Sequence, residues 1–227
     1  LIQTGHEVEG ITRIRLGSLE PGIITEEFVK EISCLPKVCP HFHLSLQSGC
    51  TETLKRMNRR YTAEDFFEKC QILRKYYKIP ALTTDVITGF PGETEEEFAA
   101  SKKFVDSIQF YEPHIFPYSK REGTRAAVME NQLPEQVKKE RCKEMIALGE
   151  IHKVQYMKNF LGTEKEVLFE EQQNLDGQLY WVGHTMEYLK VGIVSEENLE
   201  NKRVMVEIDR IFQGDILLGH RKFSKLS

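Results

Sequence analysis

Leu82-Thr83-Thr84-Asp85-Val86-Ile87-Thr88 runs directly into Gly89-Phe90-Pro91-Gly92-Glu93, and Thr94 with Glu97 follows. The first stretch is β-branched or apolar at nearly every position and reads as a strand. Glycine and proline then make a turn. Thr94 and Glu97 form a capping box that opens a helix through Phe98, Val105 and Ile108. Amides at such a strand-to-helix turn can hold an anion, although glycine and proline are equally ordinary turn chemistry.

The same unit recurs on either side. Phe42-His43-Leu44-Ser45-Leu46-Gln47 alternates strictly, with Phe42, Leu44 and Leu46 on one face and His43, Ser45 and Gln47 on the other. Ile11 to Leu16 is read as an earlier strand, ahead of the turn-prone Gly17-Ser18. Pro113 to Tyr118 is a later one, weakened by two prolines that cost ladder donors. Thr25 opens a short helix carrying Phe28, Val29 and Ile32. Thr62 opens a longer one that buries Phe66, Phe67, Cys70, Leu73 and Tyr77. Strand–helix–strand repeats of roughly 30 to 40 residues indicate a parallel sheet with helices outside. Four units are too few to close a (β/α) barrel. Residues 1–162 are therefore read as part of one, with a long trailing helix from Pro134 to about Phe160 and a stop at Gly162.

Polar residues gather where the strands end, at 17–21, 47–49, 89–93 and 118–124. In barrels of this kind the active face lies at the C-terminal ends of the strands. His43, Ser45 and Gln47 point inward in this reading, which fits either a wet or liganded lumen or polar packing beneath a loop. Beyond Gly162 the character changes. Short strands at 167–169, 179–182, 188–191, 204–208 and 216–218 alternate with turns such as Asp176-Gly177 and Gln213-Gly214-Asp215. Residues 163–227 read as a small all-β antiparallel barrel, and the domain boundary is placed near 162.

Of the 227 residues, 40% are hydrophobic and 29% charged, enough for a buried core and too apolar for disorder. No apolar run approaches the roughly 18 residues that span a bilayer. The opening Leu1-Ile2-Gln3-Thr4-Gly5-His6 is neither a signal peptide nor an initiator methionine, and the expectation is a chain that begins inside a larger protein. The five cysteines are Cys34, Cys39, Cys50, Cys70 and Cys142; their odd number and scattered spacing suit reduced thiols better than disulfides, zinc or an iron–sulfur cluster. The net charge of −4 excludes a whole-chain basic footprint for nucleic acid. Residues 163–227 hold 8 Lys/Arg against 12 Asp/Glu, and residues 1–162 hold 23 of each. Local basic patches remain at Lys55, Arg56, Arg59 and Arg60, and at Arg203, Arg210, Arg221 and Lys222. Either set is open to RNA contact or to a solvated surface. Tyr180, Trp181 and Tyr188 are candidates to stack on unpaired bases, with burial in the barrel core as the alternative.

Five segments occur in order: 13–21, 43–49, 54–62, 84–94 and 118–124. Together they resemble the methylthiotransferase family of radical S-adenosylmethionine enzymes. Segments 13–21 and 54–62 are most like the branch acting on N6-threonylcarbamoyladenosine in tRNA, and the tail is similar to a TRAM domain, a small RNA-binding barrel. The resemblance implies transfer of a methylthio group to C2 of the modified adenosine next to the anticodon. It implies S-adenosylmethionine and two 4Fe-4S clusters as cofactors, with the tRNA anticodon stem-loop and a reducing system as partners, in the cytoplasm and away from membranes. Carried onto this chain, Gln47 and Ser48 would approach the ribose, Asp85, Ile87 and Gly89 would flank the adenosyl group, and Tyr118 and Ser119 would contact the adenine. The family's Cys-x3-Cys-x2-Cys loop and its three N-terminal-domain cysteines have no match here. The expectation is therefore a C-terminal part that binds no cluster and is inactive alone, and whose open half-barrel edges favour self-association. The alternatives are the sister enzymes acting on isopentenyladenosine or on a ribosomal-protein aspartate, a non-catalytic RNA-binding adaptor, and a sugar-phosphate barrel that binds phosphate at 89–93.

Overall fold

The computed structural model describes residues 1–222 and divides into two compact units, Leu1–His152 and the residues from Lys153 onward. The boundary falls inside the long helix, earlier than the sequence placed it. One contact of the last helical turns explains this: Lys153 pairs with Asp215 of the second unit.

The first unit holds strands β1 (Ser18–Leu19), β2 (His41–Gln47), β3 (Ala81–Thr88) and β4 (Glu112–Pro117), paired in that order in one sheet. All three pairings are parallel. The helices are α1 (Ile2–Glu7), α2 (Glu26–Ser33), α3 (Thr51–Arg56), α4 (Ala63–Tyr76), α5 (Glu95–Ile108) and α6 (Glu135–Lys158). Their starts are chemically fixed. Thr25 accepts a hydrogen bond from the Phe28 amide, and both Thr62–Asp65 and Thr94–Glu97 close complete capping boxes. The helices cover one face of the sheet. Phe42, Leu44, Leu46, Leu82 and Val86 from the strands pack with Val29, Ile32, Phe66, Cys70, Leu73, Phe98, Val105 and Ile108 from α2, α4 and α5. Phe66 meets Phe104 and Phe110 with ring centroids 6.3 and 6.1 Å apart.

The first strand differs from the expectation. Residues 11–16 touch the sheet through one bridge, Ile14 to Val38, and the ladder forms instead at Ser18–Leu19, opposite His43 and Leu44. An edge segment has a neighbour on one side only, so its pairing is set by that partner's position and not by its own apolar pattern.

In the second unit β5 (Glu164–Leu175), β6 (Gln178–His184), β7 (Lys190–Ile193), β8 (Arg203–Phe212) and β9 (Ile216–Arg221) form a closed barrel in the order β5-β6-β7-β9-β8. The barrel is not purely antiparallel: β7 and β9 pair in parallel, Val191 with Leu217 and Gly192 with Leu218. Period-two patterning reports which face of a strand is buried and carries no information on neighbour direction, so the sequence could not give this seam. Glycines sit at both ladder irregularities. A Cβ on Gly183 would lie 2.0 Å from the Leu168 carbonyl oxygen, and one on Gly219 would lie 2.2 Å from that of Glu207. The backbones can approach this closely only because neither residue has a side chain.

Candidate functional site

The face of the parallel sheet turned away from the helices carries the opposite parity of residues: His41, His43, Ser45 and Gln47 on β2, Thr83, Asp85 and Ile87 on β3, and His114 and Phe116 on β4. At the C-terminal ends of these strands is a cavity of about 560 Å³. Its walls include Gln47, Asp85, Ile87, Phe116, Tyr118, Ser119 and Arg121. Polar groups face apolar ones across a volume in the range of small-molecule sites.

Local backbone chemistry aims these side chains. The β2–β3 register slips between Leu44 and Gln47, and Gln47 takes a positive φ of 69°. The Thr84 hydroxyl fills the gap, donating to the Leu44 carbonyl and accepting from the Leu46 amide 3.1 Å away. This bulge turns Gln47 toward the cavity. Tyr61 fixes the same strand end by donating to the Ser45 carbonyl, and burial pushes its phenol up to about 12. Tyr118 continues the ladder by donating its amide to the Thr88 carbonyl at 2.8 Å. Its ring packs edge-on to Phe90 at 5.3 Å, with the Lys138 ammonium 5.4 Å from its centroid.

Five of the seven expected cofactor contacts, Gln47, Asp85, Ile87, Tyr118 and Ser119, line this cavity. Ser48 and Gly89 do not. Ser48 is fully buried and its hydroxyl accepts the Cys50 amide. Gly89 gives its amide to the Glu93 carboxylate at 2.8 Å. The sequence reading missed Phe116 and Arg121. Phe116 was legible from the parity of β4, and Arg121 lies within the segment 118–124 already singled out.

The turn at 89–93 is not an anion site. The Gly92 amide is taken by the Asn131 carbonyl and that of Glu93 by Phe90. The remaining anionic position is filled by the chain's own Glu93. That carboxylate binds Arg141 Nη1 at 2.7 Å, while Arg141 Nη2 reaches Glu95 at 2.9 Å. Burial raises the Glu93 carboxyl above its ordinary range despite the arginine beside it. Three of the four amides in this turn are thus already used within the chain, which counts against the phosphate-binding alternative.

The basic residues are largely compensated. Arg56 is not a surface contact but forms a two-pronged pair with Glu97, reached from both Nη1 and Nη2, which holds the Glu97 carboxyl below its usual range. Lys55 pairs with Glu52 and Arg59 with Glu20, while Arg60 is exposed. In the small barrel Arg203 pairs with Glu166, Arg221 with Glu197 and Lys222 with Glu164. Arg210 lies over the Phe212 ring at 5.4 Å. Trp181 is buried, Tyr180 is half-buried, and exposed Tyr188 stacks on His184 with centroids 4.5 Å apart.

The residues present do not fit an iron–sulfur cluster. Cys39, Cys50, Cys70 and Cys142 are buried and Cys34 is exposed. Among the described residues no three His, Cys, Asp or Glu side chains converge as a metal site would require. Burial pushes the Cys70 thiol up to about 12, away from the thiolate a metal needs. Among the described residues no helix is long and apolar enough to cross a membrane.

Residues 6–105 match the Radical SAM superfamily. The chain is 41% identical over 209 residues to threonylcarbamoyladenosine tRNA methylthiotransferase MtaB of Bacillus subtilis, covering 92% of this chain and 46% of that protein. It is 36% identical over 217 residues to tRNA-2-methylthio-N(6)-dimethylallyladenosine synthase of Akkermansia muciniphila, covering 96% and 44%. The chain thus spans less than half the length of these curated relatives. Coproporphyrinogen III oxidase (HemN) of Escherichia coli, a radical SAM enzyme, superposes with a TM-score of 0.53 at 13% identity over 93% of this chain and 52% of its own, a likeness of fold. A parallel sheet of this kind, polar strand ends around one cavity and these sequence matches together support the radical S-adenosylmethionine methylthiotransferase family for this chain.

Proposed function

We propose that the chain serves tRNA modification, as the part of a radical S-adenosylmethionine enzyme that carries the nucleoside end of the cofactor and an RNA-binding barrel. The cavity at the ends of β2, β3 and β4 carries this reading. Gln47, Asp85 and Ser119 supply hydrogen-bonding groups beside the flat apolar walls of Ile87, Phe116 and Tyr118, the combination a ribose and a purine require. These residues would hold the adenosyl group of S-adenosylmethionine; a cluster held by residues other than those present here would supply the electron for the radical chemistry at an unactivated C–H bond. The cluster ligands lie outside this chain's residues, so the chain by itself is inactive.

The substrate position is C2 of N6-threonylcarbamoyladenosine next to the anticodon. The resemblance of segments 13–21 and 54–62 supports this branch; overall identity does not separate the two, at 41% over 209 residues for one threonylcarbamoyladenosine enzyme and 40% over 170 for one dimethylallyladenosine enzyme. The barrel of β5 to β9 contacts the anticodon stem-loop in a cytoplasmic enzyme that draws electrons from a separate reducing system. The exposed edge of β4 at Phe116 supports self-association when the sheet is uncovered.

Nucleoside mass spectrometry on tRNA from cells with and without the parent gene tests the proposal. Loss of 2-methylthio-N6-threonylcarbamoyladenosine, with its precursor accumulating, is expected. Loss of the methylthiolated isopentenyl nucleoside instead assigns the sister branch, and no change in either removes the tRNA reading.

A further inference from the structure

Deeper along the sheet face turned away from the helices, three side chains line up behind Asp85. His43 Nε2 lies 3.4 Å from Asp85 Oδ2, His43 Nδ1 lies 3.1 Å from Thr83 Oγ1, and Thr83 Oγ1 lies 3.3 Å from His41 Nε2. Resting on the reading of the cavity as a nucleoside pocket, we propose that His41, Thr83 and His43 form a one-way relay, two hydrogen bonds ending in an electrostatic contact of 3.4 Å, that positions the Asp85 carboxylate for its ligand.

The direction follows from donor and acceptor inventory. A carboxylate 3.4 Å away favours a hydrogen on the ring nitrogen that faces it, so His43 carries its proton on Nε2. In the neutral imidazole Nδ1 is then the acceptor, and Thr83 spends its single hydroxyl hydrogen there. The Thr83 oxygen has only lone pairs left for His41, which must donate from Nε2. Each link therefore points toward Asp85, and each donor is polarised by the one behind it. His41 suits the far end: it is 8% exposed, and burial, with Arg15, His43 and His114 nearby, brings its imidazole down to about 4, so it stays neutral.

The charged and titratable groups facing the relay come from three sides. Arg15 approaches from the segment before β1. Glu112 and His114 stand on β4 in register with Thr83 and Asp85, and the His114 ring centroid is 5.8 Å from that of His43. Protonating His43 makes both its ring nitrogens donors, which forces Thr83 to reverse. His43 acts through Asp85 and is a positioning residue.

Long-range nitrogen–proton NMR of the histidine rings in the ligand-free chain reads the relay directly. The expected result is the Nε2–H tautomer at His43, lost in Asp85→Asn and in Thr83→Val but retained in Thr83→Ser. An Nδ1–H tautomer in the wild type overturns the proposal. Calorimetric binding of 5′-methylthioadenosine reads the consequence. His43→Ala should weaken binding about tenfold, or ~1.4 kcal/mol, and add nothing further in an Asp85→Asn background. Two effects that multiply independently overturn the relay as a positioning device. If the wild type shows the Nε2–H tautomer yet binds no 5′-methylthioadenosine, the pocket reading and the relay's role in binding both fail, while the hydrogen-bond order stands.

Discussion

Acid sensitivity of the parallel sheet should trace to one buried imidazole. His41 sits at the start of β2, 8% exposed, with its ring down to about 4 from the ordinary 6.5, chiefly because burial penalises the charged form. Between those two values the unfolded chain binds a proton that the folded chain refuses. The stability attached to His41 is therefore complete above pH 6.5 and is lost as the pH falls toward 4. The size of the loss is on the order of 3 kcal/mol, a large share of the stability of an ordinary domain. The perturbation is His41→Gln, which does not titrate and keeps an amide donor within reach of Thr83. Native-state hydrogen exchange at the Leu46 and Val86 amides is the assay, because it follows opening of this sheet separately from the small barrel. Between pH 7 and pH 4 the wild type should lose roughly 2–3 kcal/mol more protection than the variant. Equal losses to within about 0.5 kcal/mol would refute the reasoning, since the acid response would then come from groups that both proteins share.

Two further outcomes follow from buried packing. Arg141→Met leaves Glu93 buried without its cation and should destabilise the first unit by about 3–5 kcal/mol; adding Glu93→Gln should recover part of that loss in urea unfolding, a non-additivity that independent contributions would not give. Gly183→Ala drives a Cβ to within 2.0 Å of the Leu168 carbonyl oxygen. It should open the β5–β6 seam, read as a change in the fluorescence of the chain's single tryptophan, Trp181, whose strand carries that seam; an unchanged spectrum and unfolding midpoint would count against the close approach.

What could be read from the sequence was local chemistry. The threonine caps at 25, 62 and 94 and the alternation of 42–47 depend on neighbours within a few residues, and each lies where the pattern put it. The ends of β2, β3 and β4 were legible for the same reason, whereas Gln47, Asp85, Ile87, Tyr118 and Ser119, which line the cavity, were singled out by the family resemblance. What was hidden depends on partners far along the chain. Arg56 looks like one of four clustered cations until Glu97, on another helix, is seen to claim it. His41 carries no mark of burial in its own neighbourhood; Thr83 and the strand beside it create the environment. Helix α3 was also missed, because its N-cap is Cys50, which makes no side-chain capping bond.

The parallel seam of the small barrel has a consequence for the timing of synthesis. Strand β9 pairs with β8 on one side and with β7 on the other, so it supplies the final two ladders of the ring by itself. A chain leaving the ribosome presents β5 to β8 as an open, curved ribbon whose two free margins wait for the same strand. The small barrel thus comes into being in a single late event, after the parallel sheet has had the whole length of α6 and β5 to β8 in which to settle. A stalled or clipped chain that ends at the 213–215 turn would carry a complete first unit and no barrel at all.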